Sequence, residues 1–250
     1  MPKQNILLIT GASRGIGSET AIRAARSGYH VAVNYLQEEE AAQHIVKKII
    51  LEGGDALAIQ ADVADESAVQ NMFDTLDREL GPVNALVNNA GILDLQTQFE
   101  DISAERFHRI LSTNVIGSFL CAREAVKRMA YRHGGHGGAI VNVSSMAARL
   151  GSPNEYIDYA ASKGAVETMT IGLAKEVADE GIRVNAVRPG IIDTEMHASG
   201  GEPERVERLS ASIPMQRGGR ADEVAEAILW LLSEKASYTT GSFIDVAGGR

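Results

Sequence analysis

The sequence predicts an α/β protein, a parallel sheet wound in both directions and covered by helices on each face. Three observations predict it. Apolar runs of strand length alternate along the whole chain with segments of helical periodicity. Those runs are too uniformly apolar to turn either side to water, as parallel strands covered on both faces must be. A glycine-rich loop, TGASRGIG at 10–17, joins the first apolar run to the first helical pattern.

The elements follow in order. NILLIT (5–10) reads as a buried strand, followed by the glycine loop and a helix to about Ser27. HVAVNY (30–35) is a second strand. QEEEAAQHIVKKIILEGG (37–54) is a helix with acids in its first turn and lysines later, matched to the helix dipole, and two glycines stop it. ALAIQADV (56–63) is a third strand ending in an acid. ESAVQNMFDTLDRELG (66–81) is a helix for which Asp65 is the natural cap. ALVNNAG (85–91) is the fourth strand, and 103–133 a long helical stretch broken near its start. GGHGG (134–138) turns the chain into a fifth strand, AIVNVSS (139–145), and YIDYAASKGAVETMTIGLAKEVADE (156–180) is a long helix closed by Gly181. IRVNAVRPG (182–190) is the sixth strand. Residues 191–220 carry mixed signals with one short helical run. ADEVAEAILWLLS (221–233) is a helix and SFIDVAGG (242–249) the seventh strand. With 250 residues, 44% of them hydrophobic, no internal repeat and no dividing linker, one domain over 1–250 is expected.

Composition excludes several classes of function. The formal charge is −9, with acids spread along the chain, so nucleic acid is not an expected partner. No apolar run approaches membrane-spanning length, and the first ten residues lack a secretory pattern. Cys121 is the only cysteine, which rules out an internal disulfide and a thiolate metal cluster and fits a reducing cytoplasm. The histidines (30, 44, 108, 133, 136 and 197) show no compact ligand spacing, so no metal is expected.

A strand–glycine-loop–helix unit opening an α/β sheet is a dinucleotide site. Small residues let backbone approach a pyrophosphate, and the helix N-terminus offers N–H groups and positive potential. The spacing here is TGxxxGxG, and no GK[ST] follows to make a triphosphate loop. TGASRGIG, NNAG at 88–91, Ser145, YAASK at 159–163 and PGIIDT at 189–194 stand in order along the chain. In this the sequence resembles the short-chain dehydrogenase/reductase family. The resemblance implies a Rossmann-type three-layer fold with a seven-stranded parallel sheet, a nicotinamide cofactor and a homotetramer.

By that resemblance the cofactor lies against Gly11, Ser13, Arg14, Gly15, Ile16, Gly17 and Asn34. The second strand ends in Val33, Asn34 and Tyr35, with no acid until Glu38; an acid at that strand end would hold the ribose diol of NAD and repel a 2′-phosphate. Arg14 is placed to pair with a 2′-phosphate. NADP(H) is therefore favoured, and NAD(H) stays open as the alternative. The resemblance puts the adenine against Asp62 and Val63, and the cofactor's course along Asn88, Ala90 and Gly91. Pro189, Gly190, Ile192 and Thr194 are assigned to the nicotinamide end.

Tyr159 and Lys163 are four residues apart on a helix and share a face. Reduction of a carbonyl develops negative charge on oxygen as hydride arrives, and Tyr159 would supply the proton. A free phenol titrates near 10, and a neighbouring ammonium favours its ionised form. The resemblance adds that Lys163 also holds the nicotinamide ribose, that Ser145 orients the reacting oxygen, and that Asn114 holds a water connecting Lys163 to solvent. Tyr156 has alanine four residues on and no ammonium to assist it.

The substrate is expected to be a small carbonyl or secondary alcohol, covered by the 191–220 segment, with Met146, Leu150 and Met196 as apolar wall and Asp94 and Gln96 as polar contacts. Glucose dehydrogenase-type members resemble the chain in VNY and YAASKG. Members that reduce 3-oxoacyl groups on an acidic carrier use cations beside the entrance, for which Arg128 and Arg132 are the candidates, but Glu180 stands where such members carry arginine. A dinucleotide-binding regulator without turnover is the reading from a different class.

Overall fold

Residues 6–9 alternate between two buried faces, which is what fixes the layering of the molecule. In the computed structural model, which describes residues 5–250, Leu7 and Ile9 join one apolar cluster and Ile6 and Leu8 the other. Residues 1–4, the start of the 1–250 span and of the segment read for a leader, lie outside the described residues.

In order the elements are β1 (Asn5–Ile9), α1 (Gly15–Arg26), β2 (Tyr29–Tyr35), α2 (Glu39–Leu51), β3 (Asp55–Gln60), α3 (Glu66–Glu79) and β4 (Ala85–Asn88). Then come α4 (Ala104–Leu111), α5 (Ser118–Met129), β5 (Gly138–Val143), α6 (Ala147–Leu150), α7 (Ile157–Glu176) and β6 (Ile182–Pro189). The chain ends with β7 (Ile192–Asp193), α8 (Met196–Ser199), α9 (Arg205–Ser210), β8 (Gly219–Arg220), α10 (Ala221–Leu232) and β9 (Phe243–Val246).

The seven long strands form one sheet in the order β3-β2-β1-β4-β5-β6-β9 with every pair parallel. The fold is the Rossmann-like three-layer arrangement that the sequence predicts. One face is covered by α1, α2 and α10, whose Ile22, Ile45 and Ile228 pack on Leu7, Val31 and Val141. The other is covered by α3, α5 and α7, with Phe73, Leu76, Cys121 and Ala174 against Leu8, Leu86 and Ile140. The winding reverses between β1 and β4, so a crevice opens at their carboxyl ends, the usual ligand position of an open parallel sheet.

Three local features differ from the simple alternation. Residues 104–129 form one helical path, widened at Ser112–Gly117 into a π-helical stretch that carries Asn114, and an extended Ala130 separates it from a 3₁₀ turn at Tyr131–His133. The third, fourth and fifth strands stop before ADV, NAG and SS, which instead form the rim of the crevice. Residues 191–220 fold into two short helices and a two-stranded parallel bridge, Ile192 opposite Gly219.

Candidate active site

The glycine loop is shaped by what its backbone must touch. Gly11 has φ +60, and a Cβ there would lie 2.9 Å from the Cα of Ala90. A Cβ on Gly17 would lie 2.6 Å from Asn89 Nδ2 and 2.7 Å from the carbonyl of Gly11. The loop is then tied down from outside. Gly11 N donates to Asn34 Oδ1 (3.1 Å), Ala12 N to the Asn34 carbonyl (2.8 Å), and Asn89 Nδ2 to the carbonyls of Thr10 and Gly11 (2.9 Å each). Thr10 Oγ1 accepts from the N–H groups of Asn89 and Ala90, both at 3.0 Å. The first turn of α1 has no side-chain cap and no acid. Gly15 and Ile16 at its start line the crevice, where the helix N-terminus offers N–H groups to an anion, with the Glu195 carboxylate the nearest opposing charge.

The crevice is continuous in two halves. One, of about 310 Å³, is lined by Gly11, Arg14, Gly15, Ile16, Asn34, Asp62, Val63, Ala90, Gly91 and Thr194. The other, of about 300 Å³, holds Ser145, Tyr159, Lys163, Pro189, Gly190 and Ile192. Ile16, Asn89 and Thr194 line both. Each half is of the size that takes a small ligand or part of a larger one. Of the remaining residues named from the sequence, Ser13 does not line the crevice. Gly17 is packed beneath the loop, and Asn88 and Asn114 lie buried behind the wall. Asn88 Nδ2 bonds the Ser118 carbonyl and Asn142 Oδ1, joining β4 to α5 and β5. The Asn34 amide is used up within the protein, donating to the carbonyls of Ile59 (3.3 Å) and Ala61 (3.1 Å). Asp65 caps α3 by accepting from Ala68 N (2.8 Å), and Asp62 accepts from Ala64 N (2.9 Å).

The reactive groups meet where β5 ends beside α7. Ser145 follows β5 and lines the crevice beside Tyr159, its hydroxyl near enough to favour the ionised phenol. It also accepts from Ala147 N (3.1 Å), which fixes its rotamer. Lys163 Nζ lies 5.6 Å from the Tyr159 ring centroid and donates to the Val143 carbonyl (2.8 Å). Burial pushes the Tyr159 phenol up to about 12, with the neighbouring Ser145 hydroxyl pulling the other way. Burial also pushes the Lys163 ammonium down to about 8. A Cβ on Gly91 would lie 3.3 Å from Lys163 Nζ and 3.5 Å from Asn114 Oδ1, so the rim backbone passes close to both side chains. Asn114 Oδ1 accepts from Ile92 N (2.8 Å), and its Nδ2 donates to the Ile92 carbonyl and to Ser162 Oγ (2.9 Å each). Ser162 Oγ donates to the Tyr159 carbonyl (2.7 Å), so the π-helical stretch is connected to the tyrosine through two side chains.

Some residues of the site have no obvious mark in the sequence. Asp158, 2% exposed, accepts from Tyr159 N (2.9 Å) and is gripped by Arg106 of α4 through Nε (2.6 Å) and Nη2 (3.2 Å). Tyr156 lines the crevice, and its phenol donates to the Gly200 carbonyl (3.3 Å). Glu155 and Glu202 clamp the buried Arg205 at the same wall. Thr10 and Asn89 join the glycine loop to the NNAG rim. Met146, Leu150 and Met196 do line the wall, whereas Asp94 pairs with Arg109 and Gln96 donates to Glu202, away from the lining.

The residues present fit a nicotinamide dinucleotide: an uncapped helix N-terminus behind bare backbone, a guanidinium with no protein partner at Arg14, and a buried ammonium beside a phenol. Comparison with known proteins agrees. The family model described as enoyl-(acyl carrier protein) reductase matches residues 11–250. An uncharacterized oxidoreductase of Escherichia coli (strain K12) is 64% identical over 245 residues, covering 98% of this chain and 99% of that protein. Glucose 1-dehydrogenase 2 of Bacillus subtilis (strain 168) is 36% identical over 242 residues, covering 97% and 93%. The crystal structure of a short-chain type dehydrogenase/reductase from Mycobacterium marinum superposes with a TM-score of 0.91 at 38% identity, covering 98% of this chain and 94% of that one.

Proposed function

The chain belongs to the short-chain dehydrogenase/reductase family and is an oxidoreductase that uses a nicotinamide dinucleotide, and from that premise we propose that it interconverts a small carbonyl compound and its secondary alcohol, with Tyr159 as acid and base and NADP(H) as the preferred cofactor. One observation carries the reading: a phenol and a serine hydroxyl side by side on the crevice wall, with an ammonium one helical turn from the phenol. The bound dinucleotide supplies or accepts hydride.

The protein's own groups handle the proton. Ser145 Oγ holds the substrate oxygen beside Tyr159 Oη. In reduction Tyr159 gives that oxygen its proton, and a phenol held near 12 is fully protonated at neutral pH and ready to do so. In oxidation the phenol must first be made acidic, and positive charge from Lys163 and the oxidised cofactor favours its ionised form. Lys163 would also hold the nicotinamide ribose, and Asn114 keeps the widened helix in register with the Tyr159 turn. The walls of the crevice exclude water from these groups.

NADP(H) preference is supported by Arg14 having no protein partner and by Asn34 standing at the end of β2 in place of an acid. Glu38 and Glu195 line the same half, which argues for preference rather than exclusion of NAD(H). The 191–220 segment acts as the substrate cover of a single domain: Met196, His197 and Arg205 reach the wall from it. No helix among the described residues is long and apolar enough to cross a membrane, and a cytoplasmic setting suits the buried free thiol of Cys121. A homotetramer accounts for Ile116, Phe119 and Ile171, large apolar side chains left exposed on α4–α5 and α7. A monomer by sedimentation at micromolar concentration would exclude it.

Docking of an acidic carrier protein is the weaker alternative. Arg128 is taken by Asp74, Asp77 and Glu124, and Arg132 by Glu180, so neither cation is free to meet a partner. Oxidation of NADPH and reduction of NADP+ by purified protein, read against a panel of small carbonyls, sugars and polyols, tests the assignment. No turnover by a cofactor-binding protein would favour the regulatory alternative.

A further inference from the structure

Every arginine of the described residues gives its guanidinium to a carboxylate or a backbone carbonyl, with two exceptions, Arg14 and Arg250. In a chain with 33 acids against 24 lysines and arginines, a guanidinium without a carboxylate is the unusual case. Both exceptions line the crevice, Arg14 in the half beside the glycine loop and Arg250 in the half that holds Tyr159. The 2′-phosphate reading accounts for Arg14 and leaves Arg250 unexplained.

The structure carries Arg250 to that place on a shaped turn. After β9, Gly248 and Gly249 take φ values of 63° and 91°, which only glycine adopts readily. Gly248 accepts from Met215 N (3.1 Å) and packs on Ile213, Gly249 packs on Pro214, and Arg250 N donates to the Ala247 carbonyl (3.3 Å). Ala247 in turn lies against Gly190 at the nicotinamide end. The tail is thereby fastened to both the PG turn and the cover segment.

Among the side chains lining that half of the crevice, no free acid opposes the charge. Glu155 is held by Arg205, itself clamped by Glu202. His197 hydrogen-bonds the Ile192 carbonyl (2.9 Å), and burial, the largest influence on it, pushes its pKa down. Lys163 is committed to the Val143 carbonyl. Leu93, Met146, Leu150 and Met196 give that half its apolar side.

We propose that Arg250 is a specificity residue that binds an anionic group of the substrate, so that the enzyme acts on short oxo acids or oxo phosphates and their hydroxy forms. The carbonyl carbon sits at Tyr159 and Ser145, an apolar stem lies along the methionines and leucines, and the carboxylate or phosphate takes the free guanidinium by charge-assisted hydrogen bonds. This inference rests on the carbonyl-reducing reading of the same site.

The test compares pairs that differ in charge and little else. With NADPH, 4-oxopentanoate is set against 4-oxopentanamide, and hydroxyacetone phosphate against hydroxyacetone. The member with the preferred anion is expected to exceed its neutral partner about tenfold in kcat/KM, and that ratio should shrink as salt is added. The pair showing the larger ratio separates carboxylate from phosphate. Arg250→Gln should bring the ratio down about tenfold, and Arg250→Lys should retain part of it. A ratio in Arg250→Gln equal to that of the wild type would overturn the proposal. A second reading does not depend on turnover: binding of pentanoate and of inorganic phosphate to the NADP+-loaded protein by calorimetry. Binding that Arg250→Gln abolishes supports the anion site even with no carbonyl reduced, in which case the carbonyl reading alone fails. Binding equal in the two proteins overturns the anion site and leaves the carbonyl reading standing.

Discussion

Arg106→Met is expected to weaken the protein well beyond what an exposed helix position predicts. Asp158 is 2% exposed and holds the peptide N–H of Tyr159, while Arg106, its side chain 12% exposed, satisfies both carboxylate oxygens and reaches the Leu95 carbonyl (2.6 Å) with its remaining nitrogen. Removing the guanidinium leaves a buried carboxylate whose one remaining partner among those named is a peptide N–H. Breaking one side of a buried pair costs about 3–5 kcal/mol, and with both side chains shielded solvent does little to reduce that figure. Against a total stability of about 5–15 kcal/mol, this is a large fraction. Urea unfolding should show the midpoint falling at an unchanged slope. Arg106→Met combined with Asp158→Asn removes both charges and should recover most of the loss. A single variant within about 1 kcal/mol of the wild type, or a double variant no better than the single, would show that the pair is solvated and that the reasoning fails.

Two further predictions concern the crevice itself. Arg14→Ala should weaken NADPH about tenfold or more, since a charge-assisted contact is worth about 1.5–3 kcal/mol, and leave NADH nearly unchanged in a fluorescence titration; equal losses would mean that the arginine only shapes the loop. The stability contributed by Lys163 should rise with pH from about 8 to 10.5, because there the folded protein has released a proton that the unfolded chain still binds. The rise amounts to about 3 kcal/mol. Tyr159 acts in the opposite sense above pH 10, where the unfolded chain ionises and the folded phenol holds its proton to about 12. Wild type and Lys163→Met, compared by urea unfolding at pH 7, 8, 9 and 10, should therefore diverge across the upper part of that series, and parallel curves would refute the buried ammonium.

Much of this was legible before the fold was known, for reasons that particular residues make plain. Strands such as Leu7–Ile9 and Val31–Val33 are buried on both faces, so their composition alone announces a covered parallel sheet. Tyr159 and Lys163 lie one helical turn apart, and such local spacing survives folding intact. Contacts made across the chain left no such mark. Asp158 reads as an ordinary first-turn acid, and its grip by Arg106 depends on α4 crossing α7. Asn34 lines the crevice, but that its amide donates to Ile59 and Ala61 follows from the register of β2 on β3, which the sequence does not display. Tyr156 has no lysine to mark it, and only the packing of 191–220 brings Gly200 to its phenol. Asn114 was found by resemblance, while the widened helix that carries it has no periodicity that a sequence displays.

The central claim is that the Tyr159 hydroxyl moves the proton, and Tyr159→Phe tests it most directly because it deletes one oxygen and keeps the ring. NADPH affinity and turnover on a confirmed carbonyl substrate are to be measured on the same preparation. The account predicts turnover lower by about a hundredfold to ten-thousandfold, the range of a lost general acid, with cofactor affinity within about threefold of the wild type, well under the tenfold that 1.4 kcal/mol represents. Near-normal turnover in a variant that binds NADPH normally would contradict it.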